Sequence, residues 1–205
     1  ANTIRSNQAG NSAVDDQIGN GGGISSYTTS TAEVPRVTGN LIQDNSTRDF
    51  GGGIFFGQVS AGSVYSPSQG LLENNVIELN RSFSGGGLQA STSEVQILGN
   101  TIVDNTAEFG GGVTAAATGD PAFQLVLTNN VIAFNSALVY GGGGLAVSQS
   151  APVVSYNDLF ANVPTEVGGD RGDDDYVGLT GNLSVDPTFV SRIPGNRDLR
   201  LLGGS

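Results

Sequence analysis

The apolar residues of this chain of 205 residues come in short bursts, separated by Asn and Gly, and nowhere in long amphipathic runs. The stretch GNTIVDNTAEFGGGVTA, Gly99 to Ala115, shows the pattern: brief aliphatic alternation, two Asn five residues apart, then three glycines. An Asn-x-aliphatic-x-x-Asn element occurs six times, at Asn2–Asn7, Asn40–Asn45, Asn75–Asn80, Asn100–Asn105, Asn130–Asn135 and Asn157–Asn162. Gly runs follow at Gly21–Gly23, Gly51–Gly53, Gly85–Gly87, Gly110–Gly112 and Gly141–Gly144, with a decayed copy at Gly168–Gly169. Successive second Asn residues stand 38, 35, 25, 30 and 27 apart, so the period is irregular but bounded.

Alignment on the first Asn exposes three aliphatic columns. Two residues after it stand Ile4, Ile42, Ile77, Ile102, Ile132 and Leu159. Three residues before it stand Val37, Leu72, Ile97, Leu127 and Val154. The first residue after the glycines is Ile24, Ile54, Leu88, Val113 or Leu145. The surrounding segments are short and rich in β-formers, and none sustains a 3.6-residue period or offers a capped helix. Repeats of this kind predict stacked coils. The expected fold is therefore all-β: a right-handed parallel β-helix of about six to seven coils, three short strands per coil. Its handedness follows from the handedness of parallel β crossovers. Asn suits the bends between strands and, stacked, bonds along the axis as a ladder, with Asn7, Asn45, Asn80, Asn105, Asn135 and Asn162 as its members. Glycines such as Gly52, Gly86, Gly111 and Gly142 supply sharp corners where a Cβ on every coil would crowd its neighbours. A triplet recurring on every coil reads as a turn in preference to a ligand loop.

Composition narrows the function. Charged residues make up only 13% of the chain, yet 37% is hydrophobic, which argues against bulk disorder. The net charge of −11 disfavours nucleic acid, whose phosphates require Lys and Arg, and also disfavours an anionic membrane surface. Cys is absent, so neither disulfides nor thiolate chemistry is available. No apolar run approaches the ~20 residues of a membrane span. The chain opens inside a repeat motif and is read as a mature or excised piece of a longer protein.

The alternation of Gly-Gly-[Gly/Ala]-[Ile/Leu/Val] with aliphatic-x-x-Asn resembles the repeats of polymorphic outer membrane proteins. More broadly it resembles right-handed parallel β-helix proteins of the pectin-lyase-like superfamily, over nearly the whole chain. The tail, Gly181 to Val190 (GNLSVDPTFV) then Gly195 to Leu201 (GNRDLRL), is similar to the closing segment of secreted bacterial β-helix proteins, with a continuation expected after Ser205. A single domain, 1–205, is expected, with regular coils over 1–167 and an acidic loop and closing segment over 168–205. The resemblance implies an extracellular or cell-surface protein. It leaves function open, since the superfamily holds lyases, hydrolases, adhesins and passive stalks. Its enzymes act on polysaccharides along one face, lyases with Ca²⁺ and a basic residue, hydrolases with clustered carboxylates.

Glycoside hydrolysis needs two carboxylates roughly 5 to 9 Å apart. Four residues after the first Asn the column reads Ser6, Asp44, Leu79, Asp104, Phe134, Ala161. Asp44 and Asp104 lie two coils apart, about 9–10 Å by strand spacing, and Arg48 and Arg81 follow motifs on adjacent coils. These four are the candidate catalytic residues, though the column reads as a variable solvated face. Asp170, Asp173, Asp174 and Asp175, crowded into a Gly-rich loop, suit Ca²⁺ as a hard cation, without the spacing of a known calcium loop; a solvated acidic loop is the competing reading. Arg171-Gly172-Asp173 spells an integrin-binding tripeptide, a match short enough to arise by chance. Asn45, Asn80 and Asn182 begin glycosylation-type triplets. Tyr27, Tyr65 and Tyr140 are candidates to line a groove. The leading expectation is a non-catalytic stalk, surface adhesin or filament subunit that self-associates end to end or meets a polysaccharide or cell-surface ligand, with no cofactor required. A carbohydrate-active enzyme is the alternative, and a Ca²⁺-dependent binding module the second alternative.

Overall fold

The computed structural model describes residues 2–10, 19–27, 34–57, 59–61, 64–66, 68–116 and 124–203, with backbone alone at 59–61, 64–66 and 68. The chain folds as an all-β parallel β-helix. Its aliphatic columns superpose as their spacing requires. Ile4, Ile42, Ile77, Ile102, Ile132 and Leu159 are direct register partners on successive strands. So are Val37, Leu72, Ile97, Leu127 and Val154. The residues after the glycines, Ile24, Ile54, Leu88, Val113 and Leu145, form the third ladder and continue to Val167. The interior members of all three ladders are buried in one continuous core.

Among the described residues the complete coils contain four parallel strands where three were expected, two sheets holding six strands and two holding five. In chain order, sheet I precedes the first Asn and runs from Arg36–Thr38 to Val153–Ser155. Sheet II holds the Asn-x-aliphatic residues, from Thr3–Arg5 to Asp158–Phe160. Sheet III follows the second Asn, from Gln8–Ala9 to Ser136–Tyr140, and sheet IV follows the glycines, from Ile24–Tyr27 to Val167–Gly169. Sheet III is the one that leaves no aliphatic column. Its inward positions are Ala9, Thr47, Ser82, Ala107 and Ala137, small side chains that close the core beside the Gly corner.

The corners show why the motif has its residues. At each of the two bends flanking sheet II, the residue in the left-handed region precedes the Asn, and the Asn itself does not adopt it. Ser6, Asp44, Leu79, Asp104, Phe134 and Ala161 all have φ between 52° and 58°. None of the six is Gly or Asn, and four of them, Ser6, Leu79, Phe134 and Ala161, are types that do not favour this region, so an external demand holds them. That demand is the Asn that follows. The backbone N–H and Nδ2 of Asn80 both donate to Asn105 Oδ1, at 3.0 Å each. Asn105 repeats this to Asn135, and its Nδ2 also donates to the Ile77 and Val103 carbonyls. The first Asn of each motif builds a second such ladder, from Asn40 through Asn75, Asn100, Asn130 and Asn157 to Asn182. Buried carboxamides are thereby satisfied on every polar atom, at roughly one rung per ~4.8 Å.

The glycine triplet divides its work. The first residue, as in Gly51 and Gly85, sits at φ +68°. A Cβ on the second, Gly86, would lie 2.4 Å from the Gly111 carbonyl of the next coil. A Cβ on the third, Gly87, would press on the Asn105 carboxamide below. In the Gly141–Gly144 run the structural equivalent of Gly111 is Gly143, because Gly112 N–H donates to the Gly143 carbonyl; Gly142 is an inserted residue, a correction to its place in the repeat. The irregular period arises at two places, between the second Asn and sheet IV, as in the long stretch from Asn7 to Ile24 against that from Asn80 to Leu88, and between sheets IV and I. Thr92 alone separates Leu88–Ser91 from Ser93–Leu98, whereas 58–67 intervene before Ser68–Glu73.

The C-terminal end is closed differently. Tyr176 and Val177 pack against the core beyond the 3₁₀ turn Asp173–Asp175. An antiparallel hairpin, Phe189–Ser191 with Asp198–Leu201, then folds back along the coils. The ladder arrangement predicts that Asn105→Ala lowers stability by about 3 kcal/mol or more, since it strands two donors of Asn80 and takes a donor from the carbonyls of Ile77 and Val103. Asn7→Ala, at the exposed end, costs less than ~1 kcal/mol. Urea unfolding reads both as shifts in midpoint at unchanged slope.

Candidate functional site

The corner between sheets II and III carries most of the candidate chemistry. Asp44 and Asp104 do share one column, as their spacing requires, with Leu79 between them. Neither is a free carboxylate facing an open groove. Ser6 Oγ donates to Asp44 Oδ2 at 3.0 Å. Asp104 accepts from Arg192, through Nε at 3.4 Å and Nη2 at 2.5 Å, and is also ion-paired with Arg197 Nη2. Arg197 Nε reaches Glu78 Oε2 at 2.5 Å, and Gln43 Nε2 donates to Glu78 Oε1 at 2.9 Å. Glu78 is almost wholly buried, so its charge depends on these partners. The Arg192 guanidinium lies 3.3 Å from the centroid of the Phe134 ring, within cation–π range. Burial lowers the affinity of Arg197 for its proton, but hydrogen bonds and charge from Asp104 and Glu78 outweigh it and the net shift is upward.

Sequence reasoning missed Glu78, Arg192 and Arg197. A signal existed: three of the eight basic residues, Arg192, Arg197 and Arg200, fall within the last fourteen residues of a chain rich in carboxylates. Among the described residues Arg200 pairs with its neighbour Asp198, whose carboxyl it holds down at about 2 through side-chain and backbone hydrogen bonds.

Arg48 and Arg81 lie elsewhere, on the outer face of sheet III. They line a shallow cleft of about 290 Å³ with Gln8, Ser46, Phe83 and Glu108, and neither Asp44 nor Asp104 borders it. Phe83 packs edge-on against Phe109 at 4.8 Å between centroids, and Phe109 against Tyr140 at 6.0 Å. Tyr140 is 60% exposed on this face. Tyr27 packs 5.4 Å from buried Phe55. The Tyr65 side chain lies outside the described residues.

The acidic loop does not converge. Asp170 accepts from the Gln149 N–H, Asp173 from the Val167 N–H at 2.6 Å, and Asp175 from the Gly172 N–H at 3.1 Å, while Asp174 points into solvent. Three of the four carboxylates therefore brace local backbone, and among the described residues no three acidic groups stand as a ligand set. The same bond engages the Asp173 carboxylate of the Arg-Gly-Asp triplet. The glycosylation-type asparagines, Asn45, Asn80 and Asn182, are at most 1% exposed, with their amides committed to the ladders.

One unpredicted carboxylate does structural work. Where the next Asn after Asn162 would stand in the Asn80–Asn105–Asn135 ladder, Glu166 Oε2 accepts from both the N–H and Nδ2 of Asn162. Burial pushes the Glu166 carboxyl above its ordinary value and nearby Asp173 adds to this, against the pull of the Asn162 hydrogen bonds. Asp158 is raised too, chiefly by burial.

Compared with known family models, characterised proteins and solved structures, the chain matches none of them. Among the described residues no helix is long and apolar enough to cross a membrane.

Because the folded chain holds the Glu166 proton more tightly than the unfolded chain, stability falls as pH rises from the ordinary value of 4.5 through the folded one. Glu166→Gln keeps the acceptor oxygen and removes the charge. The variant is expected to be more stable than the parent near neutral pH and to lose this part of the decline, as read by thermal melts across the acid range; equal stability throughout would refute the assignment.

Proposed function

We propose that this chain is a non-catalytic structural or adhesive β-helix module, a rigid stalk or adhesin segment at a cell surface or outside the cell. We read it further as one of the right-handed parallel β-helices of the pectin-lyase-like superfamily, a reading supported by the resemblance of its repeats. The observation that carries the proposal is the state of Asp104. The best-placed candidate acid of the repeat column is held in ion pairs by Arg192 and Arg197, so it has neither the open approach nor the free oxygen that glycoside hydrolysis asks of a general acid or base. The two carboxamide ladders supply what a stalk needs, a core cross-linked along its own axis on rung after rung. An end-to-end assembly would extend the stack from the sheet edges at Thr3–Arg5 and Ile24–Tyr27, since Glu166, Tyr176 and Val177 occupy the opposite end.

A carbohydrate-active enzyme on the same scaffold is the second reading, favoured by one feature, the sheet III cleft with Arg48, Arg81 and Glu108 side by side. A polysaccharide panel incubated with the protein, with and without Ca²⁺, separates the two. The structural reading expects no new reducing ends and no unsaturated sugars under either condition. Turnover lost in Arg81→Ala or Glu108→Gln would establish the enzyme instead.

A further inference from the structure

The closing hairpin meets the coils in an unusual way. Its backbone hydrogen bonds among the described residues are internal: the strand pairing itself, Asn196 N–H to the Ile193 carbonyl, and Leu202 N–H to the Thr188 carbonyl. Attachment to the corner runs through side chains, namely Arg192 and Arg197 on Asp104 and Glu78, Arg192 over the Phe134 ring, and Phe189 against that ring at 6.4 Å. The residues leading into it, Leu183 to Asp186, are exposed, with Leu183 paired to the last coil through Asn157 and Leu159 and Val185 N–H donating to Asp158 Oδ1, so the connection that can swing is the short stretch after Val185.

We propose that the corner of Glu78, Asp104 and Phe134 is a guanidinium-binding site whose resident ligand, the Arg192–Arg197 hairpin, is exchangeable with the hairpin of a second copy of this chain. The site discriminates by geometry. Val103 is the register partner of Glu78, so Asp104 and Glu78 stand on neighbouring rungs, about 4.8 Å apart along the axis. Arg197 spans that step with one guanidinium, Nε to Glu78 and Nη2 to Asp104. Arg192 grips Asp104 through Nε and Nη2 while its flat face rests on Phe134. An ammonium has neither the fork nor the face, so Lys cannot replace Arg at either position. A segment that holds its own shape, follows a short exposed connection beyond its anchor at Leu183 and Val185, and binds the corner through side chains makes the same contacts from another molecule. Reciprocal exchange closes as a two-fold dimer in which each copy completes the other's site. Tethering favours the internal arrangement, because a short linker holds the hairpin at an effective concentration in the mM range.

Removing that competition tests the idea. One full-length variant, Glu78→Gln with Asp104→Asn, keeps the hairpin and loses the site. The other, Arg192→Ala with Arg197→Ala, keeps the site and loses the ligand. Mixed at about 1 mM each, comparable to the tethered concentration, they should bind: Arg192 and Arg197 Nε–H signals of the first become protected, and Phe134 ring signals of the second shift. Neither variant alone should show this. A first variant that also carries Arg192→Lys and Arg197→Lys should lose the effect. Mixing without change, with coil amides protected in both partners, overturns the proposal, as does equal binding by the Lys form. Should either variant fail to fold, unmodified labelled and unlabelled chains are cycled through about 1 M salt, where screening acts within ~3 Å, and returned to low salt. Mixed-label dimers support exchange, and monomers alone refute it.

Discussion

A buried carboxamide has two N–H donors and an oxygen with two lone pairs, and a chain that hides one in its core must find partners for them all. Here the partner of each Asn is the Asn one coil further along, together with a carbonyl of the coil before. That requirement fixes much of the rest. Rungs must superpose without offset, so the aliphatic residues on either side fall into unbroken ladders. The preceding residue must turn into the left-handed region to aim the carboxamide along the axis, even where it is Leu79 or Phe134. The glycine corner must lie close enough that its last residue sits over the carboxamide, which excludes a Cβ there.

A ladder with this polarity has two unlike ends. Donors point toward the C-terminal coils, and Asn162, the last donor of the ladder that runs through Asn80, Asn105 and Asn135, needs an acceptor that is not another Asn. Glu166 is that acceptor, at the cost of half-burying a carboxylate. The closing hairpin answers a different problem. Glu78 and Asp104, on adjacent rungs of a stack with net negative charge, would repel each other at close range, and Arg192 and Arg197 neutralise both. Stacking creates this cluster: Glu78 lies level with Val103, so the carboxylate of the next residue, Asp104, is brought to within about a strand spacing of it on the adjoining coil.

Much of the fold was legible because the repeat writes it into the sequence several times over. The three aliphatic columns and the Asn ladder superpose residue for residue as alignment on the motif implies. Sheet III escaped notice because its inward residues, Ala9, Thr47, Ser82, Ala107 and Ala137, are too small and too mixed to signal a core column. The insertion at Gly142 escaped because one extra glycine in a glycine run carries no mark of its place. The site was harder. Repeat logic placed Asp44 and Asp104 in one column but cannot foresee a partner 88 residues away, because the hairpin returns from beyond the repeat. The acidic loop misled for a related reason: clustered Asp in sequence resembles a cation site, whereas three of its carboxylates are used as caps on local N–H groups.

The account stands or falls on the carboxamides being locked along the axis. Side-chain hydrogen exchange, followed residue by residue by NMR on the full chain, addresses this directly. The Nδ2 protons of Asn75, Asn80, Asn100, Asn105, Asn130 and Asn135 should exchange as slowly as the backbone amides of sheet II, and only when the coils open, while those of Asn2, exposed at the ladder's end on a 3.3 Å bond to Asn40 Oδ1, exchange faster. Ladder carboxamides exchanging at the rate of exposed asparagine, with sheet II amides still protected, would contradict it.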